Sequence, residues 1–317
     1  MFQSFEVTAR PEQGPPRLDA LRREMEAEGI AGFLVPRADA HQGEYVAPSD
    51  ERLAWLTGFT GSAGFCAVLR DVAGVFVDGR YRTQEKSQVA DVYTPVPWPD
   101  VSLSDWLKQN LPRGGVVGCD PWLHTVTQLE QLEQDLDGTG IEMRAWENLV
   151  DRIWEDRPSP PMAPVRTHPL EFAGESHSEK CERLGQGLRD AGHKAAVITL
   201  PDSLCWLLNL RGADIPRNPI AQGFGVLHAD GSVDLFMAQS KLRDVMEYLG
   251  PDVEQHDPAT FLDVLSRLEG PVRMDKTSVP VAVARHLGDA GVFGDEPCAL
   301  PKARKNAAEI EGSAQAH

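Results

Sequence analysis

The chain has 317 residues, 41% of them hydrophobic and 25% charged, which suits a soluble globular protein of two domains with a core each. A formal net charge of −17 disfavours nucleic acid, whose phosphates need a basic face, and equally an anionic membrane surface. No apolar run reaches the length of a membrane span, and the start, Met1-Phe2-Gln3-Ser4-Phe5-Glu6, has neither the basic nor the apolar region of a secretory signal.

In chain order, residues 2–15 read as a polar, weakly tied arm. Leu18, Leu21, Met25 and Ile30 follow helical spacing, and Gly29 stops that helix before a strand over 31–35. A polar connector follows over 39–45, then a short apolar element with Leu53, Trp55 and Leu56. Gly58-Phe59-Thr60-Gly61-Ser62-Ala63-Gly64 is a stretch that bends tightly and lets other backbone approach closely. Two β-rich runs, 65–69 and 75–77, predict a hairpin; Asp78-Gly79 ends it with a turn that lifts Arg80 and Tyr81 to the rim of the sheet. Helices are expected over 83–89, over 102–111 with Trp106 and Leu107 inward, and over 129–136; strands over 116–119 and 141–146. Alternating strands and helices indicate an α/β domain. A short helix over 148–156 with Leu149, Ile153 and Trp154 precedes Arg157-Pro158-Ser159-Pro160-Pro161-Met162-Ala163-Pro164, whose prolines mark a linker.

The second half repeats the first. Leu184, Leu188 and Gly192 echo Leu21, Met25 and Gly29; the strand over 195–200 echoes 31–35; Leu204-Cys205-Trp206-Leu207 echoes Leu53-Ala54-Trp55-Leu56. Each of these apolar elements runs on to a glycine, Gly58 or Gly212. A second hairpin is expected from 224–227 and 233–237, and Val272-Arg273-Met274-Asp275 echoes Val117-Gly118-Cys119-Asp120. The reading is a duplicated α/β unit, with a polar insertion over 39–52 in the first copy. The tail over 302–317 starts a helix with Asn306 as N-cap and Glu309 three residues on, and offers nothing to bury Ile310. It reads as the entry helix of a further domain.

Arg80 is the sharpest candidate for binding. A guanidinium at a sheet rim can engage a carboxylate or peptide carbonyl, although on residues alone local pairing with Asp78 or a helix end is the favoured reading. The glycine stretch lacks the endings of a phosphate loop, and Thr60 stands where a nucleophile elbow around Ser62 needs glycine. The nine histidines form no zinc spacing; His168 and His177 read as exposed polar residues, and Asp39 and His41 as turn or cap residues, with a cleft role as the alternative. Asn209, Arg211 and Asp214 crowd a glycine turn, either fixing a loop or facing a neighbouring domain. The five cysteines are unpatterned, with Cys66 and Cys205 in apolar runs as buried thiols, which fits a reducing cytoplasm. No spacing selects a general acid–base pair or any self-sufficient catalytic apparatus.

These motifs together resemble the N-terminal part of the long, three-domain Xaa-Pro aminopeptidases of the creatinase/pita-bread group. The stretches that carry the resemblance run in order: Asp39-Ala40-His41-Gln42 to Pro48, Gly58 to Gly64, Asp78-Gly79-Arg80-Tyr81, Glu147 to Trp154 with Asp156-Arg157-Pro158, Trp206 to Asp214 with Asn218-Pro219, and Lys305 to Gly312 with Ala316-His317. The resemblance implies two related α/β domains, each a mixed β-sheet flanked by helices, over 1–157 and 170–301, with a linker over 158–169 and the start of a catalytic domain over 302–317. It implies a parent enzyme that releases an N-terminal residue preceding proline. Two divalent metal ions, manganese in the usual case, sit in that third domain, and none is expected in this chain. It further implies a cytoplasmic enzyme, a homodimer in some cases, that takes a peptide with proline at the second position. By the match of Asp-Gly-Arg-Tyr, it makes Arg80 a substrate-binding residue. The alternative is a stand-alone peptide- or protein-binding module without catalysis.

Overall fold

The computed structural model describes residues 9–317. They form two compact units: one running through Asp39 and resuming over Glu44–Ser159, the other comprising Ala40–Gly43 and Pro160–His317.

The first unit is built on six strands: β1 Gly32–Pro36, β2 Gly64–Leu69, β3 Ala73–Val77, β4 Thr94–Pro97, β5 Gly115–Cys119 and β6 Ile141–Ala145, in the order β4-β3-β2-β1-β5-β6. The β1–β2–β3 centre is antiparallel; β4, β5 and β6 join parallel. The helix Gly14–Ala27 buries Leu18, Leu21 and Met25, and Gly29 ends it at φ +67°. Each such side chain contributes about 1.5–3 kcal/mol when withdrawn from water. They pack with Leu53, Leu56, Leu149, Val150 and Trp154 against Phe33, Val35, Val68, Val75 and Val77. Trp106, on the Ser102-capped helix Leu103–Asn110, packs edge-on to Phe76 on the opposite sheet face, with ring centroids 5.6 Å apart.

The arm expected over 2–15 is corrected in part. Pro11–Gln13 form a 3-10 turn and the helix starts at Gly14, because prolines suit a first turn whose N–H groups lack partners. Ala9 is buried; residues 1–8 lie outside the described part.

The second unit repeats the plan. Its strands are β7 Arg166–Thr167, β8 Ala195–Ile198, β9 Leu210–Arg211, β10 Phe224–His228, β11 Val233–Phe236, β12 Val253–His256, β13 Val272–Met274 and β14 Gly291–Phe293. Six of them form the sheet β12-β11-β10-β8-β13-β14, with an antiparallel β8–β10–β11 centre and parallel flanks, and β7 pairs with β9 alone. Strand for strand this is the order and direction of the first sheet, so the duplication read from the sequence is a duplication of topology. The helix His177–Asp190, with a Ser176–Glu179 capping box, lays Leu184 and Leu188 on the core of Ala196, Ile198, Leu204, Leu227, Val233 and Leu235. On the other face Phe261 stacks on Phe224 at 4.5 Å and meets Phe236 at 4.9 Å. The sequence reading omits three flanking strands, β4, β12 and β14; all are short and lie at sheet edges.

The last helix, Ala307–Ala316, has the expected capping box: Glu309 N donates to Asn306 Oδ1 at 3.0 Å and Asn306 N donates to Glu309 Oε2 at 2.9 Å. Asn306 Nδ2 also donates to Ala173 O at 2.8 Å, and Ile310 stays 59% exposed.

Candidate functional site: the glycine hairpin and its arginine

Gly58 closes the helix Arg52–Thr57 at φ +88°, and a β-carbon there would sit 2.4 Å from Gln88 O, so only glycine fits. A side chain at Gly64 would meet Phe76 O at 2.8 Å. Thr60 N donates to Gln88 Oε1 at 2.9 Å and Gln88 Nε2 returns a bond to Thr60 Oγ1 at 2.8 Å. Ser62 Oγ lies 2.5 Å from Tyr81 OH, and Arg37 Nη1 donates to Ser62 O at 3.0 Å. Close backbone packing is thus what the glycines provide, and Ser62 is a partner of Tyr81 rather than a nucleophile.

This framework presents Arg80 just beyond β3. Its N donates to Asp78 Oδ1 at 2.8 Å, its Nε reaches Asp78 Oδ1 and Oδ2 at 3.2 and 3.1 Å, and its Nη2 donates to Oδ2 at 2.6 Å. The guanidinium lies 5.2 Å from the centre of the Tyr81 ring, and its side chain is 67% exposed. The hydrogen bond from Arg80 holds the Asp78 carboxyl below the usual carboxylate range, and the same contact raises Arg80. Local pairing is therefore present, and it leaves the Nη1 edge without a hydrogen bond among the described residues. An arginine held by two of its nitrogens and open on the third side can donate to a carbonyl or carboxylate with little loss of side-chain freedom.

The other candidates fall elsewhere. His41 belongs to the second unit, where it is buried, stacks on Phe224 at 4.4 Å and donates from Nδ1 to Thr199 O at 3.2 Å; this corrects the turn-or-cap reading. Asp39 is buried as well. His168 and His177 are half-buried rather than exposed; His177 Nε2 lies 3.1 Å from Tyr248 O, and burial lowers His168. All five cysteines are buried free thiols, Cys66 and Cys205 among them.

Asn209, at φ +50°, accepts from the Lys180 ammonium at 2.7 Å and donates to Glu175 O at 2.9 Å. Asp214 takes the Lys241 ammonium at 2.5 Å and Gln222 N at 2.7 Å. These bonds fix the loop that β9 begins. Their partners Lys180 and Lys241 are both buried and escape the sequence reading, because lysine patterns point to the surface. Burial pushes Lys180 down to about 8.

One grouping of potential metal ligands occurs among the described residues: Asp234, Glu254 and His256. Three residues do not make the set of two aspartates, one histidine and two glutamates implied for a two-ion centre, so no catalytic step is derived through such a centre.

Two sheets of one order, each with an antiparallel centre and parallel flanks, define a tandem module of two repeated α/β domains. The chain belongs to the creatinase/prolidase N-terminal family: residues 17–153 and 156–309 each match a Creatinase/Prolidase N-terminal domain. Among its relatives are a probable Xaa-Pro aminopeptidase P of Coccidioides posadasii, 33% identical over 99% of this chain and 51% of its own, and aminopeptidase P2 of Arabidopsis thaliana, 30% identical over 95% and 48%. The crystal structure of X-prolyl aminopeptidase from Caenorhabditis elegans, described as a cytosolic enzyme with a di-nuclear active site, superposes with a TM-score of 0.88 at 29% identity, over 95% of this chain and 53% of that one. The chain thus spans about half the length of the relatives it matches. No helix among the described residues is long and apolar enough to cross a membrane.

Proposed function

We propose that this chain is the non-catalytic N-terminal region of a cytoplasmic Xaa-Pro aminopeptidase, shaping the cleft for a peptide with proline at its second position. Its relatives are Xaa-Pro aminopeptidases over nearly its whole length, and it corresponds to about half of each. The bond-breaking chemistry belongs to a catalytic domain of the same polypeptide, where two divalent ions, manganese in the usual case, supply an activated water. This chain's part is binding. The observation that carries it is Arg80, exposed, anchored by Asp78 and backed by the Tyr81 ring. From there it takes a peptide carbonyl or carboxylate on its remaining donors.

The test is Arg80→Ala in the enzyme that carries this region ahead of its catalytic domain. A fall of roughly tenfold or more in kcat/KM on Xaa-Pro peptides, partly restored by Arg80→Lys, with an unchanged unfolding curve, supports the role. Unaltered kinetics refute it. The reading frame past the codon for His317 separates the two classes of function. An open frame supplying the five-residue ligand set supports the enzyme reading, and a stop codon there favours a stand-alone binding module.

A further inference from the structure

The face of the second sheet against which Phe261 packs also carries, across β10 to β12, a cluster that the peptidase reading does not use. Asp234 on β11 stands directly opposite Glu254 on β12, and Phe236 directly opposite His256, so all four share one face. Two carboxylates directly opposite one another repel, and such a pair is costly unless a cation stands between or beside them. His256 Nε2 lies 2.9 Å from Asp234 Oδ1, and His228 Nε2, from β10, lies 2.8 Å from Asp234 Oδ2. His256 is further fixed by its stack on Phe236, with centroids 5.0 Å apart.

We propose that Asp234, Glu254 and His256 form a binding site for one divalent cation of the zinc type, with His228 as the residue that positions the Asp234 carboxylate. One ligand atom from each of the three residues lies within 4.8 Å of the others. Donors about 2.0–2.1 Å from a tetrahedral zinc lie roughly 3.3 Å apart, so a side-chain rotation of the exposed Glu254 closes the set. One imidazole with two carboxylates favours zinc, cobalt or nickel over magnesium and calcium, which prefer oxygen alone. The two carboxylates balance the ion's double charge. Ligation by His256 Nε2 requires its hydrogen to move to Nδ1 or to solvent, which frees Asp234 Oδ1 for the ion. Asp234 remains held from the far side by His228, the usual way in which a neighbouring residue orients a ligand carboxylate.

The first sheet shows that the fold itself does not demand this cluster. The pairing registers of the two sheets place Leu69, Gly74, Thr94 and Val96 where the second has His228, Asp234, Glu254 and His256. β12 is an edge strand, so an ion here clips that edge to β11.

The chelator-treated 317-residue chain titrated calorimetrically with zinc chloride tests the site. The expected result is one ion per chain, no heat with magnesium, and a zinc-dependent rise in melting temperature. Affinity should drop at least about tenfold in both His256→Ala and Glu254→Gln. Glu254 is exposed, so its variant keeps the fold even where His256→Ala does not. Absence of zinc binding up to about 1 mM, or affinity unchanged in a folded Glu254→Gln, overturns the proposal and leaves a hydrogen-bonded His–Asp–His cluster alone.

Discussion

The two sheets place a cation shortly after the third strand of each antiparallel centre, and handle it in opposite ways. After β3, Arg80 pairs with Asp78 two residues back and keeps 67% of its side chain exposed. After β11, Lys241 turns inward, is 4% exposed, and pairs with Asp214 from a distant loop whose side chain is fully buried. A local pair at the rim leaves the charge available to a ligand and costs the fold little. A long-range pair in the core ties two segments together and has no charge to offer outside. The two cations stand three and five residues past equivalent strands, and the range of each one's partner separates a charge at the rim from a charge in the core.

The largest effect should come from breaking the buried pair. Lys241→Met strands the Asp214 carboxylate, whose Oδ1 already lacks a hydrogen-bond partner, and should cost about 3–5 kcal/mol in chemical denaturation. Lys241→Met with Asp214→Leu should recover most of that loss; a double variant no better than the single one would show that the charge was not the cause.

A smaller effect belongs to Glu85, in the helix Arg82–Gln88 that follows Arg80, only 2% exposed and with Oε1 lacking a hydrogen-bond partner. Burial pushes its carboxyl from 4.5 to about 7, with Lys86 opposing the shift. Between those values the folded protein holds a proton that the unfolded chain has released. Stability from this group is therefore complete below about pH 4.5 and is lost as the pH rises through 7. Glu85→Gln should flatten that decline and stabilise the first unit at pH 8 by about 1–3 kcal/mol. Parallel pH profiles for the two proteins would remove the assignment. Arg80→Ala should do least of all to stability, leaving the unfolding midpoint in place, because exposed ion pairs contribute little. A clear drop would recast Arg80 as a structural residue and blur the contrast between the two cations.

What could be read from the sequence follows the range of each interaction. The hairpins, the glycine stops at Gly29 and Gly192, the Asn306–Glu309 capping box and the Asp78–Arg80 pair all lie within a few residues of chain, and the structure contains each. The repeat was legible because the order of local signals recurs. The Lys180–Asn209 and Lys241–Asp214 pairs span 29 and 27 residues, and no local pattern announces them. The His228–Asp234–Glu254–His256 cluster is hidden for the same reason, since strand register alone assembles it. The alternation Glu254-Gln255-His256 is a faint strand signal, and it becomes informative only once β12 is known to lie beside β11. β4 reads Thr-Pro-Val-Pro, and its prolines argue against a central strand; they are tolerated because β4 is an edge.

Those prolines have a consequence for how molecules of this protein meet at high concentration. Trp98 N donates inward to Val77 O, so the inward-facing positions along β4 are Thr94, Val96 and Trp98. Pro95 and Pro97 then occupy the outward positions, and neither has an N–H. That rim of the first sheet can accept hydrogen bonds from a stray strand but cannot return them, which leaves the ladder of a fibril with half its rungs missing. Crowded solutions should therefore find no nucleus for cross-β growth on this side of the molecule.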